Sequence, residues 1–292
     1  MTIKITAIIV NYNTANEVGH CIDSLLKQRD VELEIIVVDN ASSDSSLYVL
    51  KHYHDSIKLI ESSENLGFGR ANNLAFSQST GDYIFLFNPD ARLSDELGLS
   101  KLASYLKVHQ QAGLVSPKIM DESGRRETLP CYVYPGQKHA SQNFSHLPGK
   151  IAWVIGACML IPRSVYQAID GFDESFFLYG EDADLCLRIR QAGYQILHLE
   201  KVLVVHVGGA SEKQAHSYDK TLRKQKALHH FYRQHYTAGD AIHLVSRELK
   251  RARRRLLGYQ IKRLFGSRHQ SRCEHYRAVY DSSKAFLGAI KK

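Results

Sequence analysis

The chain has 292 residues and a net charge of +8, enough for one large α/β domain with an appendage or for two modest domains. No apolar run approaches the roughly 18 residues that cross a bilayer, and the N-terminus lacks the three regions of a signal peptide, so the sequence predicts a cytoplasmic protein. The five cysteines are odd in number and widely spaced, a pattern that fits neither a zinc site nor a secreted disulfide framework.

The first half of the chain alternates between strand-like and helix-like segments. Nearly continuous apolar runs at 5–10 and 34–38 predict strands covered on both faces, with a helix between them at 16–27. The alternation continues with helices and strands predicted at 45–53, 57–60, 69–77 and 82–87. Short connections of this kind predict an α/β fold with a mostly parallel sheet flanked by helices.

The pattern changes after about residue 120. Prolines and glycines between 130 and 149 predict a long irregular segment, which is typical of a functional lid. Regular structure is then predicted at 153–161, 181–191, 194–199 and 202–207. We therefore predict a first domain of residues 1–215 and a helical C-terminal extension of residues 216–292.

Polar residues follow the predicted strands directly, at 11–13, 39–44 and 88–90. Each cluster alone is equally typical of helix caps and turns. Ligands of an open parallel sheet bind beyond the carboxyl ends of its strands, so the three clusters together predict a ligand site at one edge. Asp90 suits Mg²⁺ or Mn²⁺ there, although Asn88-Pro89-Asp90 also fits an ordinary turn.

Three acids begin the helix predicted at 181–191: Glu181, Asp182 and Asp184. Acids favour helix N-termini in any case, through the helix dipole. Helical spacing places Asp182 on the apolar face and pairs Asp184 with Arg188 in a solvated ion pair. Burial raises the pKa of a carboxyl group towards the range of a general base, so Asp182 is the predicted base.

His206 ends the last predicted strand, just before two glycines. A lone histidine there is usually structural, but imidazole suits Mn²⁺ and glycines let the backbone approach a phosphate. Residues 65–73 resemble a glycine-rich phosphate loop only superficially. They fit neither the P-loop nor the dinucleotide fingerprint, which argues against an ATPase or a dehydrogenase.

Six motifs follow one another in a fixed order: IVNYN (9–13), VVDNASSD (37–44), NLGFG (65–69), FNPD (87–90), GACMLI (156–161) and GFDESFFLYGEDADLCLR (171–188). As an ordered set they resemble the family 2 glycosyltransferases with a GT-A (Rossmann-like) fold. More narrowly, they resemble the bacterial rhamnosyltransferase-like branch that builds cell-surface glycans. The resemblance covers most of residues 3–211.

The resemblance implies a role for each matched position. Nucleotide-sugar binding would fall to Tyr12, Asn13, Asp39, Arg70, Asn88 and Asp90. Asp90 and His206 would bind Mg²⁺ or Mn²⁺, although Asn88 stands where the family has a carboxylate. Asp182 would be the catalytic base, and the acceptor side would be lined by Trp153, Gly156, Ala157 and Glu181.

The implied activity is transfer of a sugar with inversion, most specifically of L-rhamnose from dTDP-rhamnose. The acceptor would be a cell-surface glycan or a saccharide linked to polyprenyl diphosphate. Another UDP- or GDP-sugar is an alternative donor. A non-catalytic nucleotide-sugar-binding protein is a second alternative, disfavoured because the base is retained.

The basic character of the chain is concentrated in residues 246–272. This segment has ten Lys or Arg residues and one acid, so it carries +9 and the rest of the chain −1. Its apolar residues recur at steps of three and four, which predicts an amphipathic helix at an anionic membrane. The enzyme would then lie peripherally at the inner face of the cell membrane. A helix packed on the catalytic domain is the alternative, whereas nucleic acid is disfavoured because the strand-end acids repel phosphates.

Overall fold

A computed structural model describes residues 2–209, 216–263 and 269–290, with the side chains of 261–263 excepted. The chain forms two compact units. The first contains Met1–Tyr132, Leu147–Phe177 and Glu181–Ser211, and the second contains Val133–His146, Leu178–Gly180 and Glu212–Lys292. Residue 215, the predicted end of the first domain, and residues 264–268 of the predicted basic helix lie outside the described residues.

The strands of the first unit form one mixed sheet. They are β1 (Lys4–Asn11), β2 (Glu32–Asp39), β3 (Lys58–Glu61), β4 (Tyr83–Phe87), β5 (Ala91–Leu93), β6 (Ala112–Met120), β7 (Glu127–Thr128), β8 (Cys158–Pro162) and β9 (Gln195–His206). Their order is β3-β2-β1-β4-β8-β6-β9-β5, with β7 beside β6.

Six helices belong to the first unit and three to the second within the described ranges. The first six are α1 (Val18–Leu26), α2 (Ser46–Lys51), α3 (Phe68–Phe76), α4 (Gly98–Val108), α5 (Arg163–Ala168) and α6 (Glu181–Gln191). The other three are α7 (Ser217–His235), α8 (Ala238–Arg263) and α9 (Gln270–Ile290). No helix in the described part of the chain is long and apolar enough to span a bilayer.

The predicted parallel arrangement is confirmed for β1 to β4, which pair in parallel. Beyond β4 the sheet is mixed, because β8 is antiparallel to both β4 and β6. The chain reaches β8 through an irregular segment, and an antiparallel neighbour needs no helical crossover of the kind a parallel one requires. The strands predicted at 194–199 and 202–207 are one strand, β9.

Alternate residues of β1 enter two different hydrophobic clusters. Ile5, Ala7 and Ile9 belong to one cluster, and Ile8 and Val10 belong to the other. Successive side chains of a strand point to opposite faces, so β1 is buried on both sides. This burial explains its apolar run from Ala7 to Val10, after which polar residues begin at the carboxyl end with Asn11.

The irregular segment predicted at 130–149 is confirmed, and it extends further than predicted, because the regular structure predicted at 153–161 begins only at Cys158. Residues 121–157, all of them described, contain β7 and one 3₁₀ turn, Gln137–His139. An isolated bridge joins Cys131 to Trp153.

The second unit is organised by polar contacts as well as by its helices. The Asp240 carboxylate near the start of α8 accepts N–H bonds from Ser141 and Gln142, at 2.8 and 2.9 Å. These backbone bonds hold the pKa of Asp240 below its usual value. Buried His229 on α7 lies 2.8 Å from Glu248 on α8 and 3.1 Å from Ser282 on α9. One imidazole thus links three helices.

Candidate active site

The ends of β1 and β2 are held together by one buried carboxylate. Asn11 and Asp39 face each other in the strand register, and the Asn11 amide donates to Asp39 Oδ1 at 2.8 Å. Ser42 N–H donates to Asp39 Oδ2 at 3.0 Å. Because both carboxylate oxygens of Asp39 accept bonds, this side chain shapes the loop after β2. Sequence reasoning gave Asn11 no role, although it lies in the same motif.

Tyr12 and Asn13 follow β1 in the adjoining loop. Asn13 has a positive φ of 53°, and its side-chain oxygen accepts the N–H groups of Ser43 and Asp44 at 2.8 and 3.3 Å. Its amide oxygen therefore stabilises the two loops that follow β1 and β2. Tyr12 is half-buried beside it.

The NLGFG motif forms a tight loop before α3. Asn40 donates to the Gly67 carbonyl at 3.1 Å and accepts from Leu66 N–H at 2.8 Å. Gly67 has a φ of +81°, and a Cβ there would lie 2.4 Å from the Phe177 carbonyl oxygen. Only glycine fits this approach without displacing backbone. Asn40 was another residue without an assigned role, hidden among the turn-forming residues at 39–44.

Arg70 lies in the first turn of α3 and is exposed. Its Nε is 3.7 Å from a Glu174 carboxylate oxygen. The Arg70 guanidinium, three residues after Gly67 in the sequence, is thus exposed and paired with Glu174.

The structure brings Asp90 and His206 together. β5 begins immediately after Asp90 and pairs with β9, so that Ala91 faces His206. Asp90 Oδ1 lies 3.1 Å from His206 Nε2, and Asn88 Nδ2 lies 3.3 Å from the same nitrogen. Gly208 N–H donates to Asp90 Oδ2 at 3.0 Å.

These residues fit a divalent cation. A buried carboxylate oxygen and an imidazole nitrogen converge, a donor set that suits Mn²⁺ or Mg²⁺ when substrate oxygens and water supply the remaining ligands. Among the described residues, no group of three or more His, Cys, Asp or Glu side chains is arranged so that it could hold a metal ion. Asp90 and His206 are therefore a two-residue candidate, with the Asn88 amide beside them.

Asp182 lies in the first turn of α6. The N–H groups of Ala183 and Gly156 donate to its carboxylate at 2.8 and 3.4 Å. Burial raises the pKa of Asp182 from 3.8 to about 6, although these N–H bonds act in the opposite direction. The pKa of Glu181 is also raised, first by burial and then by the charges of Asp182 and Asp184.

Helical spacing was a poor guide to burial in α6. Eight of its eleven residues are buried, so the helix has no solvent-facing side for Asp184. Asp184 is only 1% exposed and pairs with Arg188 at 2.7 Å. The predicted ion pair forms, but the expectation that it is solvated was wrong. Asp182 itself is half-buried and less enclosed than Glu181 or Asp184.

Gly156 and Ala157 lie between Asp182 and the Asn88-Pro89-Asp90 turn and contact both. Gly156 N–H donates to Asp182, and the Ala157 carbonyl accepts the N–H of Asn88 at 3.0 Å. Two consecutive residues thus touch the acidic helix start and the Asn88-Pro89-Asp90 turn. Trp153 lies upstream in the same segment, half-buried, and its carbonyl accepts the Cys131 N–H at 2.9 Å.

A mixed sheet whose parallel strands end in polar residues, a half-buried carboxylate of raised pKa and a candidate cation site together suit a nucleotide-sugar transferase of the GT-A type. The chain belongs to glycosyl transferase family 2, whose sequence profile matches residues 6–170. A second profile, described as the N-terminal domain of galactosyltransferase, matches residues 137–209. The protein is a nucleotide-sugar glycosyltransferase.

Individual relatives are distant. The N-acetylglucosaminyl-diphospho-decaprenol L-rhamnosyltransferase of Mycobacterium tuberculosis is 22% identical over 260 residues, 79% of this chain and 82% of that protein. The rhamnosyltransferase WbbL of Escherichia coli is 25% identical over 219 residues, 68% and 81% of the two chains. The solved mannosyltransferase PcManGT from Pyrobaculum calidifontis, in complex with GDP-Man and Mn²⁺, superposes with a TM-score of 0.56 at 18% identity, covering 99% of this chain and 75% of that one.

Proposed function

We propose that the protein is an inverting glycosyltransferase with Asp182 as its general base. The observation that carries the proposal is that two consecutive residues contact both parts of the site: Gly156 contacts Asp182, and Ala157 contacts Asn88. Gly156 touches the carboxylate whose pKa is raised, and Ala157 touches the turn that contains Asp90. A base and a leaving-group site on either side of one dipeptide suit a single in-line displacement.

In this mechanism the acceptor hydroxyl attacks the anomeric carbon while its proton passes to Asp182. A bond forms between the anomeric carbon and the acceptor oxygen, and the bond to the diphosphate oxygen breaks on the opposite face. One displacement inverts the anomeric centre. A divalent cation held by Asp90 and His206 would stabilise the charge of the departing nucleoside diphosphate.

We propose L-rhamnose from dTDP-rhamnose as the donor and a lipid-linked saccharide or cell-surface glycan as the acceptor. The names of the mycobacterial and Escherichia coli relatives support this choice, because both are rhamnosyltransferases and the first acts on a diphospho-decaprenol substrate. A GDP- or UDP-sugar is the second candidate, which the GDP-Man complex of the structural relative favours.

The donor and the divalent cation are tested in one assay. Purified protein is incubated with dTDP-, UDP- and GDP-sugars, and release of the nucleoside diphosphate is measured with Mg²⁺, with Mn²⁺ and with EDTA. We expect dTDP-rhamnose to be turned over fastest and EDTA to abolish turnover. Undiminished turnover in EDTA would contradict the cation role of Asp90 and His206.

The Asp182→Asn variant tests the base. Loss of a general base typically lowers the rate by about 10²- to 10⁴-fold, and we expect donor binding to persist. Asp55→Asn is the matched control, because the Asp55 side chain is 88% exposed and has no part in the mechanism. Equal turnover by Asp182→Asn and the wild type would refute the role of Asp182 as the base, whereas donor binding without turnover by either protein would favour a nucleotide-sugar-binding protein.

We also propose that α8 brings the enzyme to an anionic membrane by charge. The amphipathic interpretation is altered by the structure, because Ala252 is fully buried and Leu249 and Leu256 are half-buried. Among the described side chains of α8, the large apolar residues that are exposed are Leu257, at 54%, and Ile242, at 38%. In the same described part of α8, the exposed arginines and lysines are Arg247, Lys250, Arg251, Arg253, Arg254 and Arg255. Such a surface attracts anionic lipid by about 1 kcal/mol for each basic residue near the bilayer.

Vesicle co-sedimentation tests this surface. Replacement of Arg253, Arg254 and Arg255 by Gln should abolish binding to vesicles with anionic lipid, and high salt should do the same. The control replaces three exposed lysines of the first unit by Gln, namely Lys27, Lys51 and Lys107. Equal binding to neutral vesicles, or preferential binding to DNA, would contradict the proposal.

A further inference from the structure

Arg190 of α6 is buried, at 4% exposed, and binds the start of the segment 147–157. Its Nε donates to the Pro148 carbonyl at 2.9 Å. Its Nη2 donates to the carbonyls of Leu147 and Gly149, both at 3.0 Å. One guanidinium therefore binds three consecutive carbonyls of the backbone.

This contact needs the fork geometry of arginine. A guanidinium presents several N–H groups in one rigid plane, whereas a lysine ammonium is a compact point charge on a flexible stem. Gly149 contributes with a φ of +78°, and a Cβ at this position would lie 3.2 Å from Gln195 Cβ. The geometry of this contact therefore requires both an arginine at position 190 and a glycine at position 149.

The segment returns along α6 towards Asp182. Arg190 lies eight residues after Asp182, a separation of about 12 Å at 1.5 Å per helical residue. The seven residue-to-residue steps from Gly149 to Gly156 could span about 24 Å when extended. The segment is therefore longer than the distance it has to cover, and chain connectivity alone does not fix its path. Its path depends on the contacts that hold it.

Three anchors hold the segment within the first unit. Arg190 holds its beginning, the bridge between Cys131 and Trp153 holds its middle, and the Gly156 N–H contacts Asp182 near its end. The same helix thus carries the catalytic carboxylate and an anchor for the backbone that contacts this carboxylate.

We propose that Arg190 is a positioning residue for the acceptor side of the active site. It fixes the segment 147–157, so that Trp153 and Gly156 hold their places beside Asp182. The inference rests on the proposed function in assigning this segment to the acceptor. Arg190 acts through the backbone of the segment and not on the substrate.

The test is Arg190→Lys, which keeps the charge and most of the stem but not the three-fold contact. We expect acceptor kcat/KM to fall about 10- to 100-fold, as for other small misplacements of active-site groups. Acceptor-independent release of the nucleoside diphosphate should change by less than about threefold. Because the Gly156 N–H bond lowers the pKa of Asp182, the acid limb of the pH profile should also move to higher pH.

Arg163→Lys is the matched control. Arg163 also binds backbone, since its Nε donates to the Gly81 carbonyl, but it lies at the amino end of β4, away from the carboxyl ends that form the site. This variant should keep both activities. If Arg190→Lys lowers both activities equally, or neither, the positioning role is wrong.

Hydrogen exchange of the unliganded protein gives a readout that needs no substrate. Arg190→Lys should speed exchange of the amides of residues 152–156 at least about tenfold while the amides of β1 stay protected. Gly149→Ala disturbs the same contact and keeps the arginine. If Arg190→Lys does not fold, Gly149→Ala should show the same faster exchange. Unchanged exchange in both variants would overturn the inference. If no sugar nucleotide is a substrate, the proposed function fails, yet the exchange result still decides the positioning role.

Discussion

The Asp182→Asn substitution should stabilise the protein at neutral pH, although the proposed mechanism expects it to lower the rate of sugar transfer. Burial raises the pKa of Asp182 from 3.8 to about 6, so the ionised carboxylate is less favourable in the folded than in the unfolded chain. A difference of roughly two pKa units corresponds to about 3 kcal/mol. The asparagine oxygen accepts fewer N–H bonds than the carboxylate does, which costs about 1 kcal/mol. The expected net gain at pH 8 is about 2 kcal/mol.

The sign of the pH dependence follows from the folded pKa being the higher one. The unfavourable contribution is complete well above pH 6 and is lost as the pH falls from about 6 to below 3.8, where both states are protonated. The gain of Asp182→Asn should therefore shrink between pH 8 and pH 5. Urea unfolding followed by the fluorescence of Trp153, the single tryptophan of the chain, measures it in the first unit.

Asp184→Asn is the matched comparison, since the same chemical change is made two residues away. Asp184 is paired with Arg188, so its loss leaves a poorly exposed guanidinium without its carboxylate and should cost about 3 kcal/mol. Opposite signs for the two variants are expected at pH 8. If Asp182→Asn is no more stable than the wild type at pH 8, or gains as much at pH 5, the burial argument for the base is refuted.

Three further changes have defined outcomes. Gly67→Ala should lower the free energy of unfolding by at least about 2 kcal/mol, because its Cβ would lie 2.4 Å from the Phe177 carbonyl oxygen at a φ of +81°; an unchanged urea midpoint would contradict this. Asp90→Asn should raise the Mn²⁺ concentration for half-maximal activity about tenfold or more, and an unaltered titration curve would argue against cation binding. Glu248→Gln should lower the unfolding free energy of the second unit by about 1–3 kcal/mol, since Glu248 contacts buried His229 at 2.8 Å. Thermal unfolding followed by the circular dichroism of the helices checks the last expectation.

The parallel half of the sheet could be predicted because its signals are local. β1 and β2 are long apolar runs with helices between them, and burial on both faces requires such sequences. The position of the polar clusters followed from the same reasoning, since a parallel sheet brings its carboxyl strand ends to one edge. Asp39 and Asp90 are found at these ends.

The mixed half of the sheet could not be predicted in the same way. β5 has three residues and β7 has two, too few to show a periodicity. Their pairing partners are distant in the chain, as for Ala91 and His206. The meeting of His206 with Asp90 therefore depends on a strand pairing that no local pattern reveals.

The sequence by itself determined that this chain has a two-sided apolar sheet with acids at its strand ends, and it identified Asp182 within an ordered set of family motifs. Only the tertiary structure decided which faces of the later helices are covered. Asp184 is buried because α6 is enclosed on nearly all sides, and Ala252 is buried within the second unit. The periodicity of a helix shows which of its faces are apolar. Burial depends instead on which other elements pack against the helix, and that packing is set by contacts between residues far apart in the chain.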